Sequence, residues 1–192
     1  MGSSRNRPGK DEIVGIAGSK VAFLVAKEGI EQVELTEPWK AVQEAGGTPR
    51  LVSTEPGTVQ AYNHLDKADT FEVDVTAADA RPEEYAALVL PGGVANGDLL
   101  RWQEPAVEFV RGFVATGRPV AVICHGGWIL IEAGAVSGRR ITSWPSMRTD
   151  FTNAGAEWVD EEVVVDGPLI SSRKPDDLPS FCKELVSALE RS

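Results

Sequence analysis

The chain has 192 residues, 42% of them hydrophobic and 25% charged, with a formal net charge of −10. That balance suits one globular domain with a sizeable core. It argues against nucleic acid or an anionic membrane surface as a main partner. Two cysteines and two histidines form neither a disulfide framework nor a metal-type cluster, so no metal and no other cofactor is expected.

No apolar run approaches the roughly 20 residues of a membrane helix. No apolar segment follows the start in the manner of a secretory signal, and a reducing cytoplasm is the expected compartment. Residues 1–19 read as a flexible extension, with Ile13 to Ala17 mildly apolar and suited to the domain edge. Residues 20–192 read as a single domain.

Lys20 to Ala26 is a short apolar run, hence a buried first strand. Glu31 to Ala45 carries apolar residues at near-helical spacing, and Gly46-Gly47 ends it. Arg50 to Ser53 is a second strand. Thr58 to Val75 reads as a hairpin excursion with short strands. Ala87 to Leu90 is a further buried strand, closed by Pro91-Gly92-Gly93.

Pro105 to Thr116 is an amphipathic helix with proline near its start. Val120 to Ile123 is apolar and leads straight into Cys124-His125-Gly126-Gly127, after which Trp128 to Ala133 reads as a helix. Arg140 to Thr142, Glu162 to Asp166 and Leu169 to Ser172 are short strands, and Asp176 to Glu190 is a closing helix. Apolar strands alternating with helices imply a mostly parallel sheet covered on both faces. Ligand sites in such sheets lie beyond the carboxyl ends of the strands. The segments after Ala26, Leu90 and Ile123 should therefore converge.

Cys124 stands where a buried strand turns into a helix, the geometry of a nucleophile elbow. Unpaired N–H groups at a helix start favour a thiolate, so its pKa is expected to fall. The two glycines that follow are poor helix formers, which fits a close backbone approach or room for a substrate. The inert alternative is a buried cysteine that acts only as a small hydrophobe, and Cys182, inside the closing helix, is read that way.

His125 is the candidate base, with Asp98 or Glu31 to orient it. Glu31, just after the first strand, is the candidate carboxyl neighbour of the sulfur, with Glu34 one turn on as the fallback. A protonated carboxyl group there would donate to a thiolate, whereas an ionised one would oppose it. Gly92, Gly93 and Gly126 offer backbone N–H groups for an oxyanion. His64, in a polar excursion, is read as structural or interfacial.

Ala87 to Gly93, Pro119 to Gly126, Asn153 to Ala156, Val163 to Gly167 and Ser171 to Pro179 together resemble the PfpI/ThiJ superfamily, from about Lys20 to the end. The resemblance implies a flavodoxin-like, class I glutamine amidotransferase-like three-layer sandwich that assembles as a homodimer or hexamer. It places the family's nucleophile on Cys124, the adjacent histidine on His125 and the sulfur-bonding glutamate on Glu31. It also implies an acid from a neighbouring subunit on the loop after Pro-Gly-Gly. With a one-residue insertion that acid is Asp98; without it the position is Gly97.

The implied function is a stress-response cysteine hydrolase, a deglycase of small glycated adducts or an intracellular peptidase. A redox sensor or chaperone using the same cysteine is the alternative. A glutamine amidotransferase awaiting a synthase is disfavoured, because His64 precedes the elbow, whereas that triad's histidine follows it.

Overall fold

The computed structural model describes residues 16–192. Residues 1–15 of the expected extension lie outside it. The last residues of that extension are packed rather than loose. Ile16 is buried against the core, and the Gly18 N–H donates to the Gly46 carbonyl at 3.2 Å.

The chain runs β1 (Lys20–Val25), β2 (Glu28–Glu31), α1 (Gln32–Glu44), β3 (Thr48–Ser53), β4 (Thr58–Asn63), β5 (Asp66–Glu72), β6 (Val75–Thr76) and β7 (Ala87–Leu90). It continues through α2 (Val94–Arg101), α3 (Glu104–Ala115), β8 (Val120–Ile123) and a 3₁₀ turn at Cys124–Gly127 that leads into α4 (Trp128–Glu132). It ends with β9 (Arg140–Ile141), α5 (Arg148–Asn153), β10 (Glu157–Trp158), β11 (Val163–Asp166), β12 (Leu169–Ser172) and α6 (Leu178–Glu190).

Seven strands form one sheet in the order β11-β12-β8-β7-β1-β3-β6. All neighbours are parallel except the edge pair β11 and β12. Alternation along each strand decides which face a side chain meets. Ala22, Leu24, Leu88, Leu90, Val120 and Val122 face one core with Phe113 of α3, Ile129 of α4 and Phe151 of α5. Val21, Phe23, Val25, Val89, Ala121 and Ile123 face the other with Leu35 of α1 and Phe181 of α6. Each such fully buried large side chain stabilises the fold by about 1.5–3 kcal/mol. With both faces covered, the central strands are continuously apolar. This is the expected flavodoxin-like sandwich.

The predicted excursion is a hairpin of β4 and β5 that joins β2 in a separate three-stranded sheet. Among the described residues, no helix is long and apolar enough to cross a membrane.

Strand order fixes where a ligand fits. From β1 the chain moves to β3 on one side, then returns to β7 on the other. The loops after β1 and β7 therefore part at their carboxyl ends and leave a crevice. Cys124 follows β8, next to β7, at that same end.

Candidate active site

A cleft of about 790 Å³ opens at this crevice, and Cys124 and His125 line it. Cys124 has φ of +58°, a left-handed backbone that costs a non-glycine residue roughly 1–2 kcal/mol. The turn lifts its side chain off the sheet, as the elbow reading requires. The strain is held by the packing of Gly126 behind it. A Cβ on Gly126 would lie 2.5 Å from the Leu90 carbonyl oxygen and 2.6 Å from that of Pro91.

Cys124 is nonetheless only 7% exposed, and its acidity runs against the sequence expectation. Burial pushes the Cys124 thiol up, and the charge of Glu34 pushes it further. The backbone N–H groups of Gly93 and His125 pull the other way without prevailing. The reason is local: the turn is four residues of 3₁₀ helix followed by a five-residue α4, too short for a strong dipole, whereas desolvation acts in full.

The carboxyl group beside the sulfur belongs to Glu34, not Glu31. Glu34 is wholly buried, on the inward stripe of α1 with Leu35, Pro38 and Val42. Its carboxyl faces the Cys124 thiol and the Gly92 backbone N–H. Neither oxygen completes a hydrogen bond of full geometry. Burial above all, and then the charge of Glu31, raise its pKa from 4.5 to about 8. At neutral pH Glu34 therefore carries a proton and can donate it to a sulfur that develops negative charge.

Glu31 sits at the rim instead. Its Oε2 accepts the His64 N–H at 3.1 Å, with His64 itself at φ +59° on the hairpin tip. The corrected position has a visible cause, because Glu31 precedes α1 whereas Glu34 falls within its buried stripe.

His125 Nδ1 lies 3.2 Å from Cys124 Sγ. Burial lowers the His125 pKa, so the ring is neutral at pH 7, and in the tautomer with its hydrogen on Nε2 the Nδ1 atom can take the thiol proton. The Trp144 ring stacks on the imidazole at 5.8 Å between centroids, and Trp128 tilts against it at 5.2 Å. Asp98 lines the cleft from α2 and is exposed. Among the described residues no carboxylate hydrogen-bonds His125, so the orienting acid expected from Asp98 or Glu31 is not assembled within one chain.

Of the three glycines, only Gly93 lines the cleft. Gly92 lies behind it, wedged between Glu34 and Cys124, and its carbonyl accepts the Glu31 N–H at 3.2 Å. Gly126 serves the close approach to β7 described above. Cys182 is half-buried on α6, away from this site, with its thiol pushed up to about 11 by burial and by Glu37.

Asn96 was not singled out by the sequence reading, yet it ties the crevice together. Its Oδ1 accepts the Ala26 N–H at 2.7 Å, and its Nδ2 donates to the carbonyls of Pro91 at 3.0 Å and Gly92 at 3.1 Å. Three bonds from one buried amide join the loops after β1 and β7. Asn96→Ala takes the amide from the Ala26 N–H and the Pro91 carbonyl, while the Gly92 carbonyl keeps the Glu31 N–H, so a loss of about 2–4 kcal/mol is expected in urea unfolding. A loss below about 0.5 kcal/mol would show that water replaces the amide freely.

The Glu34–Cys124 pair also predicts a pH signature. Glu34 has its folded pKa raised, so the native state holds a proton that the unfolded chain gives up. Stability should therefore fall as pH rises from about 4.5 to about 8. Glu34→Gln removes that slope, visible as a loss of pH dependence in Tm of several degrees. It also removes the charge that opposes thiolate formation. Alkylation of Cys124 by iodoacetamide should consequently set in at lower pH in the variant. Identical alkylation profiles would separate the two groups energetically.

Comparison with known proteins agrees with this architecture. Residues 19–188 match the DJ-1/PfpI family. Deglycase PfpI of Pyrococcus furiosus is 43% identical over 171 residues, covering 89% of this chain and 99% of the relative. General stress protein 18 of Bacillus subtilis is 41% identical over 178 residues, covering 91% and 99%. A two-domain protein of Anabaena variabilis with DJ-1/ThiJ/PfpI-like and ferritin-like domains gives a TM-score of 0.83 at 32% identity, over 89% of this chain and 50% of that one. DJ-1beta of Drosophila melanogaster, at 24% identity and a TM-score of 0.81, shares the fold over 91% of this chain and 92% of its own. The extent of these matches, over the sheet, the elbow and the closing helix alike, places the chain in the DJ-1/PfpI family.

Proposed function

We propose that this protein is a cysteine-dependent deglycase that acts in stress response on early carbonyl adducts of amines and thiols. The observation that carries this reading is a strained elbow cysteine with a neutral histidine nitrogen 3.2 Å from its sulfur, both lining an open cleft. The relatives named deglycase and general stress protein support it. A peptidase is less well supported, since the sequence offers no extended peptide-binding feature.

The raised Cys124 pKa means that the thiol is activated during attack rather than ionised beforehand. In a methylglyoxal adduct the carbinol carbon bears the amine or thiol to be released. That C–N or C–S bond breaks, and Sγ bonds to the same carbon. The thiol proton passes through His125 Nδ1 to the leaving group. The hemithioacetal left on Cys124 isomerises to a 2-hydroxyacyl thioester by moving one proton between adjacent carbons and a second between their oxygens, with no external oxidant. Water then hydrolyses the thioester, releasing the hydroxy acid and restoring the thiol. The Gly93 N–H and the protonated Glu34 stabilise the negative charge that develops at the site.

Asp98 of a second copy, in a homodimer or hexamer, would supply the carboxylate that His125 lacks within one chain. The assay is release of free N-acetylcysteine or N-acetylarginine from methylglyoxal adducts. Turnover that survives alkylation of Cys124 overturns the reading.

A second reading draws on the unpartnered Glu34 carboxyl group, whose carbonyl oxygen suits a sulfenic acid O–H as acceptor. Peroxide would transfer one oxygen to the sulfur and leave as water. Stoichiometric oxygen addition at Cys124 by intact mass, with no adduct turnover, would favour this sensor role.

A further inference from the structure

We infer that the cleft selects substrates carrying positive charge beside the reacting group, through Glu28, Glu31 and Asp98 at its rim and the aromatic walls Tyr62, Trp128 and Trp144. This deepens the deglycase reading and rests on it for the nature of the reacting group, although charge selection itself does not depend on turnover.

Three features point the same way. The rim contributes three carboxylates, and among the described residues no lysine or arginine lines the cleft. Glu28 and Asp98 make no ion pair among the described residues. The cations next to the rim in the chain are already engaged: Lys27 with Glu55 at 2.9 Å and Arg101 with Glu132 at 3.7 Å. Lys174, beside the lining residue Pro175, pairs with Asp176 at 3.5 Å.

The second feature lies deeper. Glu34 is a fully buried acid in the cleft lining whose two oxygens lack full hydrogen-bond partners. A hydrogen-bond donor brought in by a ligand would satisfy them.

The third is the walls. Aromatic faces attract ammonium and guanidinium groups. The Arg101 guanidinium already lies 5.6 Å from the Trp128 ring centroid. Trp144 is 38% exposed, so part of it remains open to a ligand. Rim carboxylates would draw a cation in, and the rings would hold its apolar stem. An anionic adduct, such as a glycated acidic peptide, meets repulsion from the rim carboxylates at the mouth.

The experiment uses two short cysteine peptides, identical except that two lysines or two glutamates flank the methylglyoxal-modified cysteine. Their serine counterparts serve as unreactive binding probes for calorimetry. We expect the lysine peptide to lead by roughly 10-fold or more in kcat/KM and in affinity at low salt, shrinking toward about 2-fold at 0.5 M salt. Glu28→Lys, on the exposed start of β2 and outside the reacting groups, should cut the preference several-fold while both peptides are still turned over. Equal binding and equal turnover of the two peptides overturn the inference. A binding preference without any turnover supports charge selection and overturns the deglycase reading instead.

Discussion

Cys124→Ser is expected to lower turnover of methylglyoxal adducts by at least ~10³-fold while moving the melting temperature by only a few degrees. The hydroxyl nearly matches the thiol in size, so the pocket walls stay in place. The left-handed backbone at this position is equally strained with either side chain, so strain does not separate the two proteins. What changes is the reacting atom. A serine hydroxyl is a far poorer nucleophile, and a neutral His125 whose pKa is lowered by burial is a weak base with which to activate it. Its alkoxide would have the same donors as the sulfur, the Gly93 and His125 N–H groups and the protonated Glu34, with nothing added to offset its much higher basicity. Product release followed by chromatography, with Tm read in parallel, checks both halves. Equal rates for the two proteins would exclude a covalent role for the sulfur, and a collapse in Tm would assign the residue to packing.

Gly93→Ala is expected to be strongly disruptive, at about 4 kcal/mol or more, or roughly 10 °C in Tm for a chain of this length. Its φ of +97° lies where side chains are strained. The added Cβ would also run into the Gly29 carbonyl oxygen and come within 2.7 Å of the Glu31 nitrogen. Both obstacles are backbone, held by β2, and neither can swing aside. Gly117→Ala is the matched control, with φ of +73° but nothing within 4 Å of the new methyl. It should cost only about 1–2 kcal/mol, since conformational strain alone remains. Similar losses for the two variants would show that the β2–α2 junction yields more readily than its packing implies.

The architecture was legible because its signals are local. Runs such as Ala87 to Leu90 and Val120 to Ile123 are buried on both sides, and hydrophobicity alone announces them. The elbow was legible because a cysteine between an apolar strand and two glycines has few other readings. The acid beside the sulfur was harder. Glu31 and Glu34 differ by three residues, and choosing between them needs the rotation of α1, which Leu35, Pro38 and Val42 set by facing inward. A glutamate flanked by such a stripe is a readable sign of a buried acid.

The helix α2 after Gly93 was missed. Its buried members include Asn96 and Gly97, which carry no apolar signal. Pro38 inside α1 was likewise no obstacle, because tertiary burial outweighs the loss of the bond it would have donated to the Glu34 carbonyl. The sulfur's acidity was misjudged because sequence shows the turn but not the depth at which it lies.

That depth has a consequence for damaged molecules. The fold suppresses the acidity of the Cys124 thiol, so loosening the crevice frees the sulfur from confinement instead of disarming it. A molecule partly opened by heat or a lost contact would present a cysteine that ionises more easily than the intact one, and scavenging of electrophiles would rise as order is lost.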